Sequence, residues 1–216
     1  MTWNDITVEQ YQAVAKLIAE KDVTDVDKEV NVMCLLLDMS PKQVDELLID
    51  QYKKKAKGIA FIFGNEIEGK PRRFIKANGK TFFVNYKIEK QRFGQYIESV
   101  TYGADHIENL HLLMASIVQP VKKRIGFKFI QKNDSTRHEE IANDMLKARF
   151  IDVYHAAVFF YRVYRGSIKV MKGYLVAEMV KKGMTNLQAL QTVTTSINAM
   201  DGFITPKWLP TLRISA

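Results

Sequence analysis

Arg72-Arg73-Phe74-Ile75-Lys76-Ala77-Asn78-Gly79-Lys80-Thr81-Phe82-Phe83-Val84-Asn85-Tyr86 carries the clearest strand signal in the chain. Two β-rich runs flank Asn78-Gly79, and Asn-Gly tolerates the positive backbone angles of a type I′ turn, so the stretch reads as a two-residue β-hairpin. Counting outward from the turn sets Ile75 opposite Phe82 and Phe74 opposite Phe83. Both faces then carry aromatic or aliphatic side chains. A lone hairpin is marginal in water, so this one must pack on helices or on a neighbour. Almost everything around it reads as helix. The expected class is therefore mainly α with a small β-hairpin element (α+β): a helical bundle with an inserted β-hairpin.

The helices announce themselves by their starts. Thr7-Val8-Glu9-Gln10, Ser40-Pro41-Lys42-Gln43, Asp105-His106-Ile107-Glu108, Thr136-Arg137-His138-Glu139 and Thr185-Asn186-Leu187-Gln188 all have capping-box form. In each, a short polar side chain accepts from the first free N–H groups and a Glu or Gln three residues on reaches back. Before Gly64 the pattern gives four short helices. Ile6 staples onto Tyr11, Pro41 takes a first helical position, and Asp50 caps a fourth helix running to about Phe63. After the hairpin, Glu89 to Tyr102 and Ile107 to Val118 read as helices, the second stopped by Pro120. From Ile125 the chain alternates weakly, as a strand or an extended arm, and Asn133 to Ser135 reads as a turn. Thr136 opens a long helical region to about Gly183, with breaks expected near Ala148-Arg149 or at Gly166. A last helix covers Asn186 to Met200, with Gly202 as its cap, and Pro206 and Pro210 make Thr205 to Ala216 an extended tail. Three segments follow: 1–64, N-terminal helices; 65–135, the hairpin, helices and a basic segment; 136–216, C-terminal helices and tail.

The chain has 216 residues, a formal net charge of +8 and 47% hydrophobic residues. That is enough apolar material for a folded core, and the charge favours nucleic acid, an anionic membrane or an acidic protein face as partner. Cys34 is the only cysteine, so an intrachain disulfide and a cysteine-rich zinc site are both excluded. It lies in an apolar helical run and reads as a buried, inert thiol. No signal-peptide pattern opens the chain and no apolar run reaches membrane-spanning length, which points to synthesis in a reducing, intracellular compartment.

Catalytic motifs are missing. His106 and His111 are five apart, the wrong spacing for two ligands on one helical face, and the four histidines read as exposed or cap-region residues. There is no Gly-x-Ser-x-Gly elbow, no phosphate loop and no dinucleotide fingerprint. The expectation is a protein that is not an enzyme, with no cofactor, metal, small-molecule substrate or membrane partner. Two patches carry the candidate contacts. Lys122, Lys123, Arg124, Lys128 and Lys132 are interleaved with Phe127 and Phe129, as a DNA or subunit contact. The apolar alternation of Ile125, Phe127 and Phe129 favours a subunit. The hairpin's Arg72, Arg73, Phe74, Phe82 and Phe83 form a second basic and aromatic patch. For both patches the favoured alternative is that the aromatics pack into the core while the lysines face water. Phe159, Phe160, Tyr161 and Tyr164, in a helix apolar nearly all round, together with Trp208 in the tail, are candidate interface residues, with burial in the chain's own core as the equal alternative.

Asp5-Ile6-Thr7-Val8-Glu9-Gln10-Tyr11-Gln12 is followed, after a charged link, by Val32-Met33-Cys34-Leu35-Leu36-Leu37-Asp38-Met39-Ser40-Pro41-Lys42-Gln43-Val44-Asp45-Glu46-Leu47. This resembles small virion or tail-assembly proteins of tailed bacteriophages, including those of crAss-like phages. The Leu-Leu-x-Met-Ser-Pro-x-x-Val-Asp-x-Leu pattern between helices is common in the helical part of tail assembly chaperones. The resemblance covers about the first sixty residues, and the hairpin departs from the chaperone pattern. It implies a non-enzymatic structural component of the virion, of neck or tail ring type, made in the host cytoplasm and resident in the particle. Its partners would be copies of itself and other virion proteins, with non-specific proximity to DNA. A tail assembly chaperone and a basic nucleic-acid-associated protein are the alternatives.

Overall fold

The computed structural model describes residues 1–64, 67–87, 102, 107–124, 127–130, 135–192 and 194; for 123, 124, 127–130, 135, 164–172 and 175 it describes backbone alone. The expected helix at 89–101, the Asp105 cap, the 131–134 part of the basic segment, the end of the last helix and the tail with Trp208 lie outside the described residues. What is described is α+β, as expected. Helices α1 (Val8–Ala19), α2 (Asp25–Leu37), α3 (Pro41–Asp45) and α4 (Ile49–Ile59) precede strands β1 (Phe74–Ala77) and β2 (Lys80–Val84). Then come α5 (Leu110–Ile117), β3 (Val118–Arg124), β4 (Phe127–Ile130), α6 (His138–Leu146) and α7 (Phe150–Lys181).

The Thr7 and Ser40 capping boxes form with both bonds in place, and Thr24 caps α2 through its hydroxyl. Thr185 and Gln188 also bond reciprocally, at 3.2 and 3.3 Å. Two starts differ from expectation. The fourth helix begins at Ile49 rather than after an Asp50 cap: the Gln51 side chain accepts from the Leu48 N–H, which sets the start two residues earlier. α6 begins at His138 behind a 3₁₀ turn, Ser135–Arg137, rather than directly after Thr136. The long C-terminal helical region breaks at 147–149 and runs unbroken through Gly166. Gly183, at φ 96°, lets the Met184 N–H return to the Met179 carbonyl and closes α7.

The hairpin forms in the expected register, with Phe74 opposite Phe83 and Ile75 opposite Phe82. Asn78 and Gly79 supply the positive φ angles, 47° and 71°. The sheet is larger than one hairpin. β3 pairs antiparallel with β2 through Val118–Pro120 and with β4 through Val121–Arg124, giving the order β1-β2-β3-β4. The helix expected to reach Val118 ends at Ile117 and becomes β3 without a loop. Pro120 lies inside that strand rather than beyond a helix end. It is the last residue of the β2 ladder and has no N–H to carry that ladder further.

One face of the sheet packs inward. Ile75, Ala77, Phe82, Val84 and Val118 are buried and belong to a single hydrophobic cluster with residues of all three segments. Across it, the first turn of α1 is tied to the α6–α7 joint: Val8 N–H donates to the Ala148 carbonyl (3.0 Å) and Phe150 N–H to the Ile6 carbonyl (2.9 Å). Tyr11 stacks on Phe150 with centroids 3.8 Å apart. Cys34 is half-buried against this core rather than fully enclosed.

Candidate functional site

The charge of the chain is unevenly placed. Residues 70–87 and 118–130 hold ten Lys and Arg and no Asp or Glu. The rest of the sequence then has 22 Lys and Arg against 24 Asp and Glu, a balance of −2. These two segments are far apart in sequence, and the β2–β3 pairing joins them into one sheet. The whole positive excess is thus concentrated on four strands and their immediate flanks.

Two of these cations are committed to internal carboxylates. Arg72 Nε donates to Asp152 at 3.0 Å; Asp152 is buried in the first turn of α7 and also accepts from Arg149 at 2.6 Å. Lys80 Nζ bridges Asp144 (2.7 Å) and Glu140 (3.0 Å) on α6. Asn78 Nδ2 donates to the other Asp144 oxygen at 2.8 Å. Arg73, Lys76 and Lys122 are exposed, with no carboxylate partner among the described residues. Beside Arg73 and Lys76 on the outer face of the sheet lie Phe74, which is 50% exposed, and the half-buried Phe83, whereas Lys122 alternates to the side of Val118 and Pro120. Their rings sit side by side with centroids 5.7 Å apart, and the Arg73 guanidinium is 5.9 Å from the Phe83 centroid. Phe82 points the other way, into the core. The expected hairpin patch therefore divides: Arg73, Phe74 and Phe83 lie on the outer face, Phe82 lies in the core, and Arg72, though exposed, is tied to Asp152. Such a face can bind an anion with planar apolar groups; it holds no nucleophile, general base or metal-ligand set. Among the described residues no group of three or more His, Cys, Asp or Glu could hold a metal ion, and no helix is long and apolar enough to cross a membrane.

Within the basic segment, Lys123 lies opposite Lys128 and Arg124 opposite Phe127 in the β3–β4 register. Lys132 lies outside the described residues. The candidate interface residues separate in the same way. Every residue from Phe150 to Tyr161 except Phe159 is buried in the chain's own core, so Phe160 and Tyr161 lack the exposure an interface residue needs. Phe159 is partly exposed and meets Tyr86 edge-on at 4.8 Å. Tyr164 is in α7, and its side chain, like Trp208, is outside the described residues.

No protein family, curated protein or solved structure is matched by this chain.

Sequence reasoning missed His155. Rather than lying exposed or at a cap, it is 4% exposed in α7, under the loop that leads to β1, and burial keeps its imidazole below the ordinary value. Tyr154 beside it is pushed up to about 12, again by burial. The signal was present in the sequence: His155 sits inside an otherwise apolar run, three residues after Asp152 and therefore on the same side of the helix.

Proposed function

We propose that this chain is a non-enzymatic structural subunit of a tailed-bacteriophage virion, of neck or tail ring type, acting through contacts with copies of itself and with other virion proteins. One observation carries the reading. α7 spans 32 residues, about 48 Å at 1.5 Å per residue, while its continuously buried part stops at Tyr161. Its end and the following helical turns expose large apolar side chains: Tyr174 (65%), Met184, Leu187 (65%) and Leu190. Leu48 and Ile49 at the start of α4 are exposed as well. Clustered apolar exposure of this kind marks surfaces that neighbours cover. The tailed-phage class itself is supported by the Leu36 to Leu47 pattern.

Mass spectrometry of purified particles, together with the native mass of the isolated protein, tests the proposal. A particle-resident oligomer is the expected result. A protein present during assembly and missing from finished particles is a chaperone instead. A monomer at high concentration that is missing from particles overturns both.

A further inference from the structure

We propose that the outer face of the sheet is a single-stranded nucleic-acid platform, with Phe74 and Phe83 stacking on bases and Arg73 and Lys76 contacting the phosphate backbone. This does not depend on the chain being a virion subunit. The first argument is charge complementarity. The positive excess of the molecule lies in the sheet and its flanks, while the remainder balances at −2. A polyanion is therefore drawn toward the sheet.

The second argument separates nucleic acid from an acidic protein. Phe74 and Phe83 are directly opposite on neighbouring strands. The opposite face of the same strands supplies Ile75, Ala77, Phe82 and Val84 to the core cluster, to which Phe74 and Phe83 do not belong. A half-exposed phenylalanine beside a guanidinium offers π-faces at the height of the cations, which suits bases strung on phosphates. An acidic peptide would use the cations and leave the rings wet. Duplex bases are already stacked on each other and present no free face to them, so the single strand is the favoured form. Pairing continues the surface from Lys76 and Thr81 through Phe83 to Gln119 on β3. Three strands at about 4.8 Å spacing make a strip wide enough for one strand of nucleic acid.

The test uses the full chain and a fluorescein-labelled oligo(dT) of about 20 nucleotides. A duplex of the same length and poly-L-glutamate serve as competitors. Oligo(dT) should bind more tightly than either. Phe74→Ala should weaken oligo(dT) binding at least about five-fold, as loss of one base–aromatic stack does, and leave duplex binding unchanged. Phe74→Trp should retain it. The Arg73→Gln and Lys76→Gln double variant should reduce the slope of log K against log salt by about 1.4, two contacts at about 0.7 each. Phe74 is half-exposed, so its loss leaves the fold intact, and thermal melting verifies this. Equal binding of duplex with no effect of Phe74→Ala overturns the platform in favour of bare phosphate contact. Displacement by poly-L-glutamate at equal charge overturns it in favour of an acidic protein partner. No binding of oligo(dT) at low salt overturns it outright.

Discussion

Gly69 crosses α7 where a side chain has no room. A Cβ built there would lie 2.2 Å from Nε2 of His155, and the glycine's φ of 156° is one that other residues seldom adopt. Gly69→Ala should therefore destabilise by about 1–3 kcal/mol, the usual cost of forcing an extra carbon into a packed site. A shift in urea midpoint at constant m-value measures it. Pairing it with His155→Ala in a double-mutant cycle should return part of the loss, because the clash is with that ring. The same histidine makes stability depend on pH. Burial holds the folded pKa below the ordinary 6.5, against opposing effects of the Glu68 backbone and the Asp152 charge. The unfolded chain thus binds the proton first. The stabilisation is complete above about pH 6.5 and is lost as pH falls below it. His111, also lowered by burial and by His138, acts in the same direction. Melting temperature should fall between about pH 7 and pH 5, and His155→Gln should flatten that fall in part, with His111 accounting for the remainder. A flat profile in the parent protein would contradict the buried, uncharged imidazole.

At the level of elements, the β1–β2 turn is held from two sides. Asn78 takes positive φ for the turn and also donates to buried Asp144, and Lys80 supplies the one cation that pairs with that carboxylate among the described residues. Asn78→Gly keeps the turn and should lose only the side-chain bond, about 1 kcal/mol. Lys80→Ala leaves a buried carboxylate without its charge partner, and the loss should be about 1–3 kcal/mol by chemical denaturation. Glu140, held down to about 2 by hydrogen bonds from Arg137 and then Lys80, adds a contribution that is present above its ordinary 4.5 and fades as pH drops toward 2. The turn and its register were legible in the sequence because Asn-Gly chemistry is local: four backbone angles and a count outward determine which residues face each other. The tie to Asp144 was not legible, since it joins positions 66 apart. Nor was the passage from α5 into β3. Val118-Gln119-Pro120 has no strand pattern of its own and becomes a strand because β2 offers an unpaired edge. The Leu48 start was hidden for another reason: the bond that sets it comes from Gln51, and Asp50 lies within the first turn.

At the scale of the whole molecule, composition revealed a surplus of positive charge but not its location. Locating it requires the β2–β3 pairing, which joins segments thirty residues apart in sequence. The fate of the aromatic helix was open for the same reason. Phe160 and Tyr161 are covered by elements from both ends of the chain, and periodicity cannot distinguish an internal cover from a neighbouring subunit. Large apolar side chains are also exposed further along the chain: Tyr174 in α7, and Leu187 and Leu190 in the helical turns after it. If neighbours bury this region, replacing Leu187 with Glu places a charge in an apolar contact without touching the monomer's core. Self-association, followed by sedimentation velocity across a concentration series, should then weaken by at least about ten-fold, since a desolvated unpaired charge at an interface costs more than 1.4 kcal/mol. Thermal stability of the monomer should stay within about 0.5 kcal/mol of the parent, as for other exposed positions. Charge gives the control. Replacing Lys76 with Gln should leave association unchanged if the apolar arm and the basic sheet are separate surfaces, one for neighbours and one for a polyanion. Loss of assembly in the Lys76 variant with retention in the Leu187 variant would reverse that division and make the sheet the subunit contact.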